Sequence, residues 1–536
     1  MRRRELLKTG LAAAASFAAP LAAPRLARAA KASTLTFVPT SDLAVLDPIV
    51  TFNRPTRNYA YLVFDTLYGL DANWQAQPQM VLGHEVDDDG LTWHLRLRDG
   101  LCFHDQEPVL ARDVVASIRR FAPRISFATA LMAATEELSA PDDRTVKFRL
   151  KRPFPHLPAA LAGPGGTVPA IMPERLAATS PYQPVKEIIG SGPYRYLLDE
   201  HVSGARSAFA RFEQYRPRDG GGPAGMPGFT SGPKVTHFDR VEWLTLDSFS
   251  AQAALSRGEI DWWESPARDL FAQVARDRNV TGISHYMPAM GILRFNQLYP
   301  PFNNPAMRRA LLSAIDQDEA MIAVAGEDPA DHYAGVGIFA TGTPLANDAG
   351  IEVLKAPRDY AAAKKALAEA GYKDEPIVII SPTDVGGIST LSRIGAEQLR
   401  RAGLNVDFQE MDFGTVIRRR TNQGPPDKSG WNVFFTMIDR SIPNTNPFGS
   451  QGLRADGKAA WDGWPDCPKV EALRAAWLDA ADLDKQRQIC TEMQRQVWQD
   501  LPFIPMGEYW QTTAYRKELS GIMPGCFTVF WGVKRA

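Results

Sequence analysis

The chain has 536 residues, 45% hydrophobic and 23% charged, which excludes a disordered or collagen-like polypeptide. Its 60 Lys and Arg stand against 61 Asp and Glu, a formal charge of -1, so no global basic field points to nucleic acid. Four cysteines exclude a small disulfide-framed fold, and at ~150 residues per domain the length corresponds to three or four units.

Residues 1–29 read as an address. A cationic head, Arg2-Arg3-Arg4, precedes a short alanine-rich apolar run and the A-x-A site Ala27-Arg28-Ala29, the pattern of a secretory signal peptide. Pro20, Pro24 and the shortness of the run argue against a membrane span. Arg3-Arg4-Glu5-Leu6-Leu7-Lys8 resembles the twin-arginine export signal, with Leu6 where Phe is commonest. No Cys follows the cleavage site, so no lipid anchor is expected. Without residues 1–29 the chain carries 54 basic and 60 acidic residues, net -6. The expectation is a soluble, periplasmic, mildly acidic protein that does not cling to anionic lipid or nucleic acid. Cys102, Cys467, Cys490 and Cys526 would meet an oxidising compartment, and the sequence does not choose among their three complete pairings or the free state.

Elements then alternate. Residues 35–39 form a short apolar strand. Residues 91–98 alternate apolar and polar after the turn signal Asp89-Gly90, predicting a half-buried strand of a hairpin. Residues 145–150 alternate similarly. Asp247 caps a helix that Gly258 closes. Asn304-Pro305 starts another, and Asp316 to Glu319 has the form of a capping box. Residues 360–370 are helical up to Gly371. Strand 377–380, helix 389–402 and strand 404–408 predict a right-handed parallel βαβ unit, so the fold class is α/β. The Gly- and Pro-rich stretch 217–233 reads as a surface loop.

Catalytic motifs are missing. There is no G-x-S-x-G, no H-E-x-x-H and no P-loop. Residues 335–340 match G-x-G-x-x-A by letters, but Thr-Gly-Thr-Pro follows where a helix should start, so the dinucleotide reading fails. None of the eight histidines is paired at i, i+2 or i+4, which is a poor metal-ligand pattern. No cofactor and no metal is expected.

A set of short motifs in fixed order carries more information. It comprises Leu46-Asp47-Pro48, Phe64-Asp65-Thr66-Leu67-Tyr68, Asp88 to Trp93, and Leu97 to Asp105. Ala111 to Ser117, Gly190-Ser191-Gly192-Pro193-Tyr194, Leu255 to Asp261, Phe295-Asn296, Pro301 to Ala310 and Leu501 to Pro505 follow. This series resembles the extracytoplasmic solute-binding proteins of peptide- and nickel-type ABC importers, solute-binding family 5. One departure is Gln106, where the family usually has Gly after Phe-His-Asp. Gln disfavours a positive φ, so that turn is expected to differ.

The resemblance implies a two-lobed periplasmic-binding-protein fold with a small inserted domain. Domain I would comprise 30–73, 190–294 and 503–536, domain II 74–189, and domain III 295–502. Solute would lie between domains I and III, whose closure presents a new surface to the permease. In peptide-binding members an acidic residue of domain III pairs with the peptide ammonium, and Asp439, at the end of the apolar run 431–438, is the match. Arg440 would hold a carboxylate. Trp262, Trp263, Trp461 and Trp531 offer apolar area with an N–H, and Asn53 and Arg54 lie in an early loop that would face the cleft. Asp99 and His104 read as structural.

The expected function is capture of a small solute, a peptide or amine-bearing compound, by a monomer that does no chemistry and delivers its cargo to an ABC permease and ATPase complex. The alternative is a carrier of nickel, another metal complex or haem. A periplasmic enzyme on the same scaffold would need a nucleophile with a base in the cleft, and the sequence displays none.

Overall fold

Two strands exceed all others in length. Val280–Phe295, of 16 residues, and Phe503–Arg516, of 14, lie antiparallel. At about 3.3 Å per residue each spans roughly 50 Å, far more than one sheet layer needs. One end of the pair is extended by Trp262–Trp263, Thr34–Val38, Arg240–Leu244, Arg206–Arg211 and Tyr194–Tyr196. The other end carries Val433–Asp439, Ile377–Pro382 and Val406–Met411. The two long strands therefore join two α/β lobes. Their pairing slips between Ile283 and Met287 and between Met290 and Ile292, where the chain passes from one lobe to the other. This computed structural model describes residues 33–536 apart from 52, 164–166, 219–229, 440–444 and 526, and the backbone but not the side chain of Asp439.

The βαβ unit lies in lobe 2. Ile377–Pro382 and Val406–Met411 run parallel, connected by helix Gly386–Arg401. That helix begins earlier than its pattern implies, at Gly386-Gly387. The helix caps follow their chemistry: Asp247, Asn304 and Asp316 accept from the backbone N–H groups of Phe249, Ala306 and Glu319. Residues 335–340 open no helix, in keeping with the rejected dinucleotide reading.

A four-stranded antiparallel sheet forms the insert, in the order Val81–Val86, Thr92–Leu97, Thr145–Leu150, Thr135–Ser139. Asp89 makes its hairpin by accepting from Leu91 and Thr92 N–H, and Gly90 takes φ 68°. The insert is fixed to lobe 1. Arg120 forks onto Asp47, Nη1 to Oδ1 at 3.2 Å and Nη2 to Oδ2 at 2.6 Å, with both residues buried. The ring of His104 lies between the Gly190 N–H at Nδ1 and the Gly192 carbonyl at Nε2, 3.0 Å away. Those two partners require the neutral tautomer with the proton on Nε2, and burial lowers the ring's pKa to about 4. Gly190 and Gly192 lie against the Val63 backbone, where a Cβ would sit within 1.9 and 2.6 Å of backbone atoms. No larger residue fits there.

The turn at Gln106 does not differ as expected. Gln106 adopts φ 75°, keeping the left-handed geometry that Gly would take without strain. Cys102, Cys467 and Cys490 are free thiols, and Cys526 lies outside the described residues. Residues 219–229 of the Gly- and Pro-rich stretch also lie outside the described residues, as do residues 1–32, where the export signal is expected. Among the described residues no helix is long and apolar enough to cross a membrane, and no group of three or more His, Cys, Asp or Glu could hold a metal.

Candidate functional site

The passage between lobes is crossed by residues 286–289. Tyr286 belongs to the lobe 1 side. Its hydroxyl donates to Thr528 Oγ1 at 3.1 Å, its carbonyl accepts from Gly525 N–H, and its ring meets Trp262 edge-on at 6.4 Å. Three residues on, Ala289 pairs with Asp439 on one side and Tyr509 on the other. Three residues of strand are about 10 Å. The backbone of Asp439 thus ends lobe 2's strand close to where lobe 1 begins.

The lobe 1 wall is built around Glu264, which is fully buried. It accepts from Thr40 N–H, Asn58 Nδ2 and Thr528 Oγ1 at 2.9, 2.6 and 2.8 Å. A carboxylate so deep is tolerated only because its lone pairs are filled. It fixes helix Arg54–Val63 through Asn58, and Thr528 through its hydroxyl. Asn53 is the exposed N-cap residue of that helix and makes no side-chain cap bond. Arg54, half-buried, is the first helical residue, and its positive charge acts on the Tyr286 hydroxyl. Arg57, one turn on, lies 5.4 Å from the Phe527 ring centroid.

On the lobe 2 side Tyr509 donates to Met437 Sδ at 3.2 Å, next to Gly387 at the start of helix Gly386–Arg401. A second link joins the lobes: Asp331 of lobe 2 takes Arg268 of lobe 1 at 2.6 Å and His285 of the bridging strand at 3.1 Å.

The tryptophans do not converge. Trp262 is fully buried against Phe37, Tyr286 and Phe530, and its Nε1 donates to Thr513. Trp263 points to the opposite face, into a smaller core with Val38, Ala251 and Leu255. Trp531 is 5% exposed and lies 4.9 Å from the Lys234 ammonium. Trp461 sits in lobe 2, each of Arg294 and Arg420 5.1 Å from its ring, at the end of the bridging strand away from residues 286–289. Its indole is occupied by structural arginines. The side chain of Asp439 and all of Arg440 lie outside the described residues. Asn53, Arg54 and the Asp439 backbone are therefore the expected residues that gather near the passage.

Glu264, Tyr286 and Tyr509 escape a reading of the sequence. Glu264 closes Asp261-Trp262-Trp263-Glu264, and an acid directly after an apolar pair is a visible signal. Tyr286 and Tyr509 carry none.

Residues 75–455 match the bacterial extracellular solute-binding proteins, family 5, middle region. A Sinorhizobium fredii protein named "Probable peptide ABC transporter periplasmic-binding protein y4tO" is 36% identical over 538 residues, covering 100% of this chain and 99% of its own. The glutathione-binding protein GsiB of Pectobacterium atrosepticum is 26% identical, covering 98% and 96%. Among solved structures, the dipeptide-binding protein of Pseudoalteromonas sp. SM9913 with Met-Leu superposes with TM-score 0.75 at 19% identity, covering 94% of this chain and 100% of that one. NikZ of Campylobacter jejuni with Ni(L-His) gives 0.73 at 17%, covering 93% and 97%. Both share the fold of two lobes joined by bridging strands, and the sequence match extends from the insert into lobe 2: this chain belongs to family 5 of the bacterial extracellular solute-binding proteins.

Proposed function

We propose that this protein captures peptides between its two lobes in the periplasm and delivers them to an ABC permease and its ATPase. The observation that carries this reading is the 36% identity, end to end, with a relative named for peptide ABC transport. In this account Asp439 holds the peptide ammonium and Arg440 the carboxylate end. Closure expels water, and charge pairs strengthen where water is excluded. Asn53 and Arg54 belong to the facing wall, Trp262, Trp263 and Trp531 pack in the lobe 1 core behind it, and Trp461 packs within lobe 2 away from the passage. Lobe 1 would comprise 30–73, 190–294 and 503–536, with 74–189 as the insert and 295–502 as lobe 2. A monomer exported by the twin-arginine route, doing no chemistry, completes the reading. Binding energy selects the closed state, since the solute contacts both walls only there.

Calorimetric titration of solute-free protein with a panel of di- and tripeptides, and in parallel with Ni(L-His)2, tests it. Saturable peptide binding with no response to the nickel complex is expected. The reverse result would assign the protein as a metal-complex carrier.

A further inference from the structure

The insert meets lobe 2 at a seam of its own, apart from the bridging strands. The His156 ring lies on the Trp477 indole with centroids 4.4 Å apart, and Phe127 packs on Trp477 at 5.7 Å and on Phe448 at 5.8 Å. Lobe 2 holds its half of the contact in place. The Arg474 guanidinium lies 4.6 Å from the centre of the Phe448 ring and donates to the Pro447 carbonyl and to Glu471. At the rim Arg152 pairs with Asp479, their side chains 47% and 65% exposed, where an ion pair adds little. The seam is narrow. A chamber of about 290 Å³ beside Phe127, His156 and Trp477 adjoins it, as does a hollow of about 540 Å³ beside Trp93, Phe154 and Asp479. The insert's seam with lobe 1 is of another kind, because parting Arg120 from Asp47 would strand two buried charges. Parting the seam with lobe 2 uncovers aromatic rings but leaves no buried charge without its partner, since Arg152 and Asp479 already face water and Arg474 keeps Glu471.

We infer that the insert is a clasp: its aromatic contact with lobe 2, His156 and Phe127 on Trp477 and Phe448, holds the two lobes closed from outside the solute site and sets how much of the protein is closed before solute arrives. The inference rests on the reading above that solute is captured by lobe closure, and it holds whether that solute is a peptide or another compound. The insert moves with lobe 1, to which Arg120–Asp47 and His104 fasten it, so the seam with lobe 2 is the contact that closure makes and opening breaks. The bridging strands join the lobes covalently in both forms and cannot serve this purpose. The four rings face one another, so they act on the closure equilibrium and not on the choice of solute. Apparent affinity scales with the closed fraction, and the clasp therefore multiplies the affinity for every solute by one common factor.

The test combines small-angle X-ray scattering of solute-free protein with calorimetric affinities for Ala-Ala-Ala and Met-Leu. It is run on the wild type, on His156→Ala from the insert side and on Phe448→Leu from the lobe 2 side. His156 makes no side-chain cap bond to the helix it precedes, and Phe448 is half-buried and keeps an apolar side chain, so both variants retain the fold. The expected result is a larger radius of gyration than wild type in both solute-free variants. Both peptides then bind more weakly by one common factor, at least about threefold, the factor by which the closed fraction falls. A radius of gyration equal to wild type in both variants overturns the clasp and leaves the peptide reading standing. So does a loss of affinity confined to one of the two peptides, because contact with the solute would then be at work. Binding of neither peptide by the wild type overturns the peptide reading, and the scattering comparison still decides the clasp.

Discussion

The imidazole of His156 lies flat on the indole of Trp477, ring centroids 4.4 Å apart and planes 6° from parallel, with Nε2 3.2 Å from the Trp477 carbonyl oxygen. His156 belongs to the insert, Trp477 to helix Pro468–Leu478 of lobe 2. Arg152 pairs with Asp479 beside them, and Phe127 stacks on Phe448 at 5.8 Å. In the proposed capture cycle, opening of the lobes parts this contact, because Arg120–Asp47 and His104 fasten the insert to lobe 1.

Acid should therefore favour opening. Burial lowers the pKa of His156 from its ordinary 6.5, against smaller raising effects of the Trp477 and Ala480 carbonyls and the Asp479 charge. In the open form the ring is wetted and keeps its ordinary value. The closed form is at full strength above pH 6.5 and loses ground as pH falls from there toward the lowered value. Peptide affinity measured between pH 8 and 5 is expected to decline on the acid side. His156→Phe, which keeps the stack, should flatten that decline; an unchanged profile would show that His156 does not couple closure to pH.

Asp47 and Arg120 anchor the insert with both charges buried, and Asp47 also accepts from the N–H groups of Ile49 and Val185. Asp47→Ala leaves a buried guanidinium without its counter-charge, at a cost of about 3–5 kcal/mol. Urea denaturation should show that loss in the midpoint. A change under about 1 kcal/mol would mean that water reaches Arg120.

Gln106→Gly removes a left-handed φ of 75° from a residue with a Cβ. A gain of about 1 kcal/mol is expected in the same assay, since the relief of strain exceeds the extra entropy of the unfolded chain. Destabilisation would indicate that the Gln106 side chain makes a compensating contact.

Asp439→Asn should lower affinity for peptides with a free amino terminus by about 2–5 kcal/mol while leaving the thermal midpoint unchanged. Equal affinity in variant and wild type would move the ammonium site elsewhere.

Local signals made much of the fold legible. Asp-Gly at 89–90, the caps Asp247, Asn304 and Asp316, and the 377–408 alternation each state a local preference that the tertiary structure keeps. The bridging strands were not legible. Val280–Phe295 contains Gly282, Pro288 and Gly291, and Phe503–Arg516 contains Pro505 and Gly507, residues that argue against long central strands. The register slips around residues 283–292 accommodate part of that irregularity. The tryptophans show the limit for sites. An indole suits a core as well as a cleft, and only tertiary placement separates Trp262, buried beneath the passage, from Trp477, beside a chamber.

The most direct measurement is native mass spectrometry of protein purified from its periplasm without refolding, followed by mass analysis of what denaturation releases. The account predicts peptides at one equivalent per chain, and their loss in Asp439→Asn. A stoichiometric metal or metal complex, with no peptide, would contradict it.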